Sequence, residues 1–207
     1  EIDARQKWLE TEKKAVGRYL DWHTGILLET DGKMGIYRKE SGKLIYKEKA
    51  DSEDGYLGMY LFLMGKYLEK TENTDLPEYW KKGISLALKK IQSLMQDGIT
   101  KVSEENTTVY LMDNLEVWKG LYELEHAGLK DVKAISEMRN KLQAQIEKIF
   151  WDDANQRWRI IGNSDLYNQK EFYPDGVAQI YPLIYEFPVK EKKKQKILYK
   201  QFTERFQ

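Results

Sequence analysis

Three carboxyl side chains, Asp51, Glu53 and Asp54, fall within the stretch "DSEDGY", directly ahead of the apolar run "LGMYLFLMGKYL". Two other stretches have the same character: "VYLMDN" carries Asp113 and "FYPDGV" carries Asp175, each beside tyrosine and at the head of an apolar run. Carboxyls set among aromatics suit acid–base chemistry, because burial makes one of them hold its proton while a better solvated neighbour stays ionised. Protonating a leaving group while activating a water needs such a pair. Tyr56, Tyr110, Trp118 and Tyr173 lie close to these acids and offer flat apolar faces with a polar edge, while Asn114 adds an amide.

A plainer use competes for each acid. Asp51 or Ser52 can cap a helix, and Glu53 and Asp54 suit the positive end of its dipole. Pro-Asp-Gly around Asp175 is also a common turn. Asp113 is harder to explain this way, since Asn106, Thr107 and Thr108 already offer cap chemistry and the surrounding helix is apolar. The recurrence of acid beside aromatic at three helix starts is what favours a shared site.

The elements that must carry these residues alternate in character. Asp3 to Tyr19, Glu78 to Gln96, Asp131 to Phe150 and Val189 to Phe206 have apolar residues at helical spacing among charges, as helices with one wet face do. Asp51 to Thr71, Thr108 to Gly128 and Tyr173 to Phe187 are apolar on nearly every side, as expected of helices enclosed by others. Glycines and "TDGK" break the stretch Gly25 to Lys47 into short β-type runs where a helix is hard to sustain, and "WDDANQRWRIIG" reads as another hairpin. "DGITKVSEEN" reads as a loop. The unit of outer helix, loop or hairpin and inner helix therefore recurs along one domain spanning residues 1–207, an all-α array with one or two short β-hairpins.

Composition narrows the function classes. A hydrophobic fraction of 41% rules out a disordered chain. Basic and acidic residues balance at 34 each, with a basic excess only in "VKEKKKQK", so the stripe of Lys and Arg of a nucleic-acid binder is missing. No cysteine is present, which excludes disulfides, thiolate metal sites and cysteine nucleophiles. The two histidines, His23 and His126, lie far apart and each near an expected helix end; with no spaced ligand set, neither a metal nor a cofactor is expected. No apolar run approaches the ~18 residues of a membrane-spanning helix.

With these residues in place, the chain resembles the six-hairpin glycosidase superfamily, the (α/α)6 toroids whose carboxylates sit at inner helix starts around a saccharide cleft. "SEDGYLGMYL" is similar to the Ser-Glu-Gly-x-x-Tyr-Gly-Met segment of glycoside hydrolase family 8, the bacterial cellulase and chitosanase group. That likeness implies Glu53 as general acid, and "LMDNLEVWKGL" resembles the second inner helix, placing Asp113 as its partner on the central sugar. Asp51, Asp54, Tyr56, Tyr110, Asn114, Trp118, Tyr173 and Asp175 are then expected to bind a polysaccharide or oligosaccharide, extracellular or of the cell envelope. This chain departs from the family by setting Asp54 between Glu53 and Gly55, and "LMDNLEVW" is also similar to the Asp-bearing helix of unsaturated glucuronyl hydrolases. A non-catalytic glycan-binding or scaffold component of a polysaccharide export system is one alternative, and an α-solenoid that binds protein is a third reading. A closed ring needs about twelve helices and upwards of ~300 residues, against about seven helices here, so a partial ring is expected, completed by a longer parent chain or a second copy.

Overall fold

The computed structural model describes residues 2–72, 76–129, 132–162, 164, 171–189 and 192–206. Seven α-helices follow one another with three short antiparallel strand pairs between them: α1 (Ile2–Glu29), β1 (Gly35–Glu40), β2 (Lys43–Lys49), α2 (Glu53–Thr71), α3 (Glu78–Leu94), β3 (Met95–Gln96), β4 (Ile99–Thr100), α4 (Leu111–His126), α5 (Lys133–Phe150), β5 (Trp151–Asp152), β6 (Arg157–Trp158), a π-type turn (Phe172–Gly176), α6 (Val177–Ile184) and α7 (Lys192–Arg205). The result is a mostly α arc of helical hairpins, part of a toroid. Helices α2, α4 and α6 form the inner layer, and α1, α3, α5 and α7 pack outside them.

Outer helices keep one buried stripe. In α3, Trp80, Ile84, Ala87, Ile91 and Leu94 recur every three or four residues and all are buried, while the intervening lysines face water. Inner α2 and α4 are different: Leu57, Tyr60, Leu61, Met64 and Leu68 on one, and Leu111, Leu115, Trp118, Leu121 and Leu124 on the other, leave almost no wet face. These two helices touch backbone to backbone. A Cβ built on Gly58 meets the Val117 nitrogen at 2.6 Å, and one on Gly120 meets the Gly58 carbonyl oxygen at 2.2 Å, so only glycine allows this approach.

Helix α1 runs ten residues past the expected end at Tyr19. Leu20, Thr24 and Leu27 continue its stripe into the core, and the Thr24 hydroxyl is 2.9 Å from that of Tyr60 on α2. Burial of that face outweighs the cost of Gly25 within the helix, and Asp31 and Gly32, both at positive φ, then end the run. The strand pairs among the described residues number three, because "MQDGIT", read from sequence as the end of the helix Glu78 to Gln96 followed by a loop, is a hairpin. Asp97 and Gly98 both take positive φ, the requirement of a type I′ turn.

The β3–β4 and β5–β6 hairpins stand at the end of the arc where the inner helices begin. They replace the side-chain caps expected for α4: its N-cap is Tyr110, without a capping side chain, and the Leu111 N–H donates to Ile160 at 2.9 Å. Asn106 instead accepts from the Thr108 N–H within its own loop. The start of α2 is held in the same way, its Glu53 N–H donating to the Val102 carbonyl, with Ser52 as N-cap accepting from Gly55 at 3.1 Å. Asp131, the expected first residue of the helix that ends at Phe150, lies outside the described residues.

Candidate active-site cleft

Inner helix starts meet around a cleft of about 480 Å³, walled by Asp51 just ahead of α2, Gly55, Tyr56 and Met59 from α2, Asp113 and Glu116 from α4, Tyr19 and His23 from α1, and Tyr173. Asp113 and Glu116 sit three residues apart on α4 and so share a face. They converge on Gly55: the point where a Cβ would stand is 2.7 Å from Glu116 Oε2 and 3.5 Å from Asp113 Oδ1. Any larger residue at position 55 would fill the space that these carboxyls share.

Burial dominates their electrostatics. It pushes the Asp113 carboxyl up to about 8, helped by the charge of Asp54 and opposed by a hydrogen bond with Ser52. Glu116 rises to about 7 for the same two reasons, opposed by the Tyr185 hydroxyl, which donates to its Oε1 at 3.4 Å. The phenols of Tyr185 and Tyr181 on α6 are themselves raised, by burial first and then by Glu116. His23 is 7% exposed and its Nδ1 has no hydrogen-bond partner; burial lowers it to about 4, leaving a neutral ring at pH 7. No Lys or Arg is among the described residues lining the cleft.

The site residues expected from sequence divide into those that reach this cleft and those that do not. Asp51, Tyr56, Asp113 and Tyr173 line it, with Tyr173 66% exposed at the rim. Glu53 does not. Each step along a helix turns the side chain by ~100°, and one residue past the Ser52 cap it faces Lys49, Lys90, Glu104 and Glu105, where burial and then Glu104 raise its carboxyl. Asp54 and Asn114 turn inward and are fully buried, at 0% exposure, so neither is open to a ligand. Asp54 accepts from Ser52 Oγ at 3.0 Å and Thr100 Oγ1 at 2.7 Å, and Asn114 clamps Thr100 by accepting from its N–H at 2.8 Å and donating to its carbonyl at 3.0 Å.

Tyr110 caps α4 and pairs with Ile161 in a β-bridge, away from the cleft. Trp118, one helical turn and a half beyond Asp113, is buried against Tyr122 and Phe187 and donates to Gln143. Asp175 is buried at the π-type turn, its carbonyl receiving the Gln179 amide. Glu116, Tyr19, His23 and Tyr185 were not anticipated. The first could have been found from its i, i+3 spacing to Asp113; the others depend on how α1 and α6 pack. His23 lies well inside α1, not near its end, whereas His126 is the last residue of α4 as expected.

A second hollow of about 470 Å³, between the β5–β6 turn and α7, has amides, Arg157 and Phe202 on its walls but no converging carboxyls. Among the described residues no helix is long and apolar enough to cross a membrane, and no cluster of His, Cys, Asp and Glu is arranged to hold a metal ion.

By sequence the chain matches no protein-family model and no curated protein. In structure it is similar to a rhamnosidase from Klebsiella oxytoca solved with rhamnose bound, with a TM-score of 0.58 at 9% identity. The match covers 84% of this chain and 34% of the rhamnosidase, so the chain spans about a third of that protein's length. Identity this low makes the likeness one of fold alone.

Proposed function

We propose that this chain carries the cleft of a glycoside hydrolase and that Asp113 is its proton donor. The observation that carries this reading is a buried carboxyl raised to about 8, hence protonated at neutral pH, on the wall of an aromatic cleft. The closeness of Glu116 and Asp113 around Gly55 leaves less than the ~6.5–9.5 Å that an inverting pair keeps for sugar and water. They act from one wall, Glu116 toward a sugar hydroxyl, and Asp51 from the start of α2 is the partner that activates water. Tyr19, Tyr56 and Tyr173 stack on the sugar rings.

The family 8 likeness of "SEDGYLGMYL" and the fold shared with a rhamnosidase support a polysaccharide or oligosaccharide substrate, extracellular or of the cell envelope. The acid passes from Glu53 to Asp113, because Glu53 turns away from the cleft. The chain acts as one arc of a ring that a longer parent chain or a second copy completes.

Reducing-end release across a panel of polysaccharides tests this. Asp113→Asn and Glu116→Gln should each lower turnover by at least ~10²-fold with the fold intact, while Glu53→Gln leaves it unchanged. Full activity in Asp113→Asn would end the assignment. Glycan binding with no product from the wild type would favour the alternative, a glycan-binding scaffold of an export system.

A further inference from the structure

His23 carries polarity that the fold does not use. It sits inside α1 at 7% exposure, and its Nδ1 is buried without a hydrogen-bond partner. Its neighbours are rings: Tyr19 and Trp22 on its own helix, with centroids 5.6 and 6.1 Å away, and Tyr60 of α2 at 5.1 Å. The hydroxyls of Thr24, next in the chain, and of Tyr60 are bonded to each other at 2.9 Å. A phenylalanine would fill this place among the rings without the cost of desolvating two nitrogens. A buried polar atom left unmet calls for another use.

The cleft supplies one, because His23 lines it. Tyr60 lies five residues past Gly55, so His23 meets α2 roughly 7.5 Å along its axis from the point where Asp113 and Glu116 converge. Tyr19 and Tyr56, 48% and 43% exposed, line the same cleft and offer flat apolar faces with polar edges. A neutral imidazole has one donor and one acceptor nitrogen. Buried donors without a partner are rarer than under-satisfied acceptors, which puts the hydrogen on Nε2 and leaves Nδ1 bare. His126 has the opposite arrangement: its Nδ1 is 2.7 Å from the Tyr122 carbonyl oxygen, which can only accept.

We propose that His23 is a specificity-determining residue of the cleft, its Nε2–H donating to a hydroxyl oxygen of a neutral sugar ring held against Tyr19 and Tyr56. The inference deepens the reading of the cleft as a glycan site and rests on it. Burial keeps the imidazole uncharged at pH 7, which suits an uncharged hydroxyl. The residue recognises the sugar and takes no part in moving the proton of Asp113.

Nitrogen NMR of the isotope-labelled chain at pH 7 tests this, with cellohexaose, xylohexaose and mannohexaose as probes. The chain has two histidines, so His126 is the internal control. Before sugar is added, His23 should hold its hydrogen on Nε2 and His126 on Nδ1. At least one hexasaccharide should then move the His23 Nε2 signal and leave His126 still. His23→Phe should weaken calorimetric binding of that sugar by at least ~10-fold without lowering the melting temperature, whereas loss of a residue that only packs would lower it. His23→Gln, whose amide nitrogen stands where Nε2 does, should keep most of the affinity, and His23→Asn should not. A hexasaccharide that binds with both His23 signals unmoved overturns the proposal, as does binding of none of the three; where His23→Phe does not fold, the wild-type spectra decide. Binding with the His23 shift but no cleavage keeps this inference and loses the hydrolase reading, and cleavage with His23 unmoved does the reverse.

Discussion

Asp113 is held in a form that water would not favour, and this has a cost in stability that can be measured. Its carboxyl moves from an ordinary 3.8 to about 8 on folding, so between those values the native state binds a proton that the unfolded chain releases. Its contribution is therefore fully present below about pH 4 and is lost as pH rises through about 8, and Glu116 adds a smaller fall of the same sign ending near 7. Asp113→Asn removes the titration and keeps the shape of the side chain. We expect it to be more stable than wild type at pH 7 by on the order of 1–3 kcal/mol, with no gain at pH 4. Urea unfolding at both pH values checks this, and an equal or lower midpoint at pH 7 would contradict it. Asp113 was legible in the sequence because an acid inside an apolar helix has few structural uses. The division of labour between Glu53 and Asp54 was not, because adjacent helical residues differ only in direction, and direction is set by how α2 docks.

Helix α2 docks where glycine lets it. Gly58 and Gly120 put the inner helices in backbone contact, and this closeness brings Glu116 and Asp113 over the start of α2. Adding a methyl group at either site drives a Cβ into backbone atoms that cannot swing aside. Gly58→Ala or Gly120→Ala should destabilise by about 1–3 kcal/mol or more, despite alanine's better helix propensity. Gly25 in α1 is the control: a Cβ there meets nothing within 4 Å, so Gly25→Ala should stabilise by about 0.5–1 kcal/mol. Thermal melts of the three variants test the contrast, and three shifts of one sign would refute it. The alternation of wet-faced and enclosed helices was readable because it follows from burial, which hydrophobic periodicity records. The continuation of α1 through "TGILLE" was hidden by its glycine and visible only through Leu20, Thr24 and Leu27. The β3–β4 hairpin was readable in principle from "DG" but lacked strands long enough to show alternation.

Charge is balanced over the protein as a whole and unbalanced at the cleft. The 34 basic residues cancel the 34 acidic ones, yet the described cleft wall has Asp51, Asp113 and Glu116, with Asp54 beneath, and no basic side chain. Its lysines sit elsewhere: Lys119 is buried with Glu123 at 2.9 Å and Lys66 meets the same Glu123 at 2.7 Å, further along the inner helices, away from their starts. A glycan approaching the chain therefore feels no long-range attraction from net charge, and within the cleft it meets acids, some of them protonated at pH 7, and no cation among the described lining residues. Neutral sugars pay little for this, while a uronate places its carboxylate among buried acids without a counterion. We expect uronic-acid oligosaccharides to bind at least ~10-fold more weakly than neutral ones of equal length at low salt. The gap should narrow at ~1 M salt, where the screening length falls to about 3 Å, and narrow again below about pH 4 as a sugar carboxylate approaches protonation. Calorimetric titration with both classes of oligosaccharide reads the difference directly; uronates that bind as tightly as neutral glycans would place a cation in or near the cleft and move the recognition of sugar to another wall of the arc.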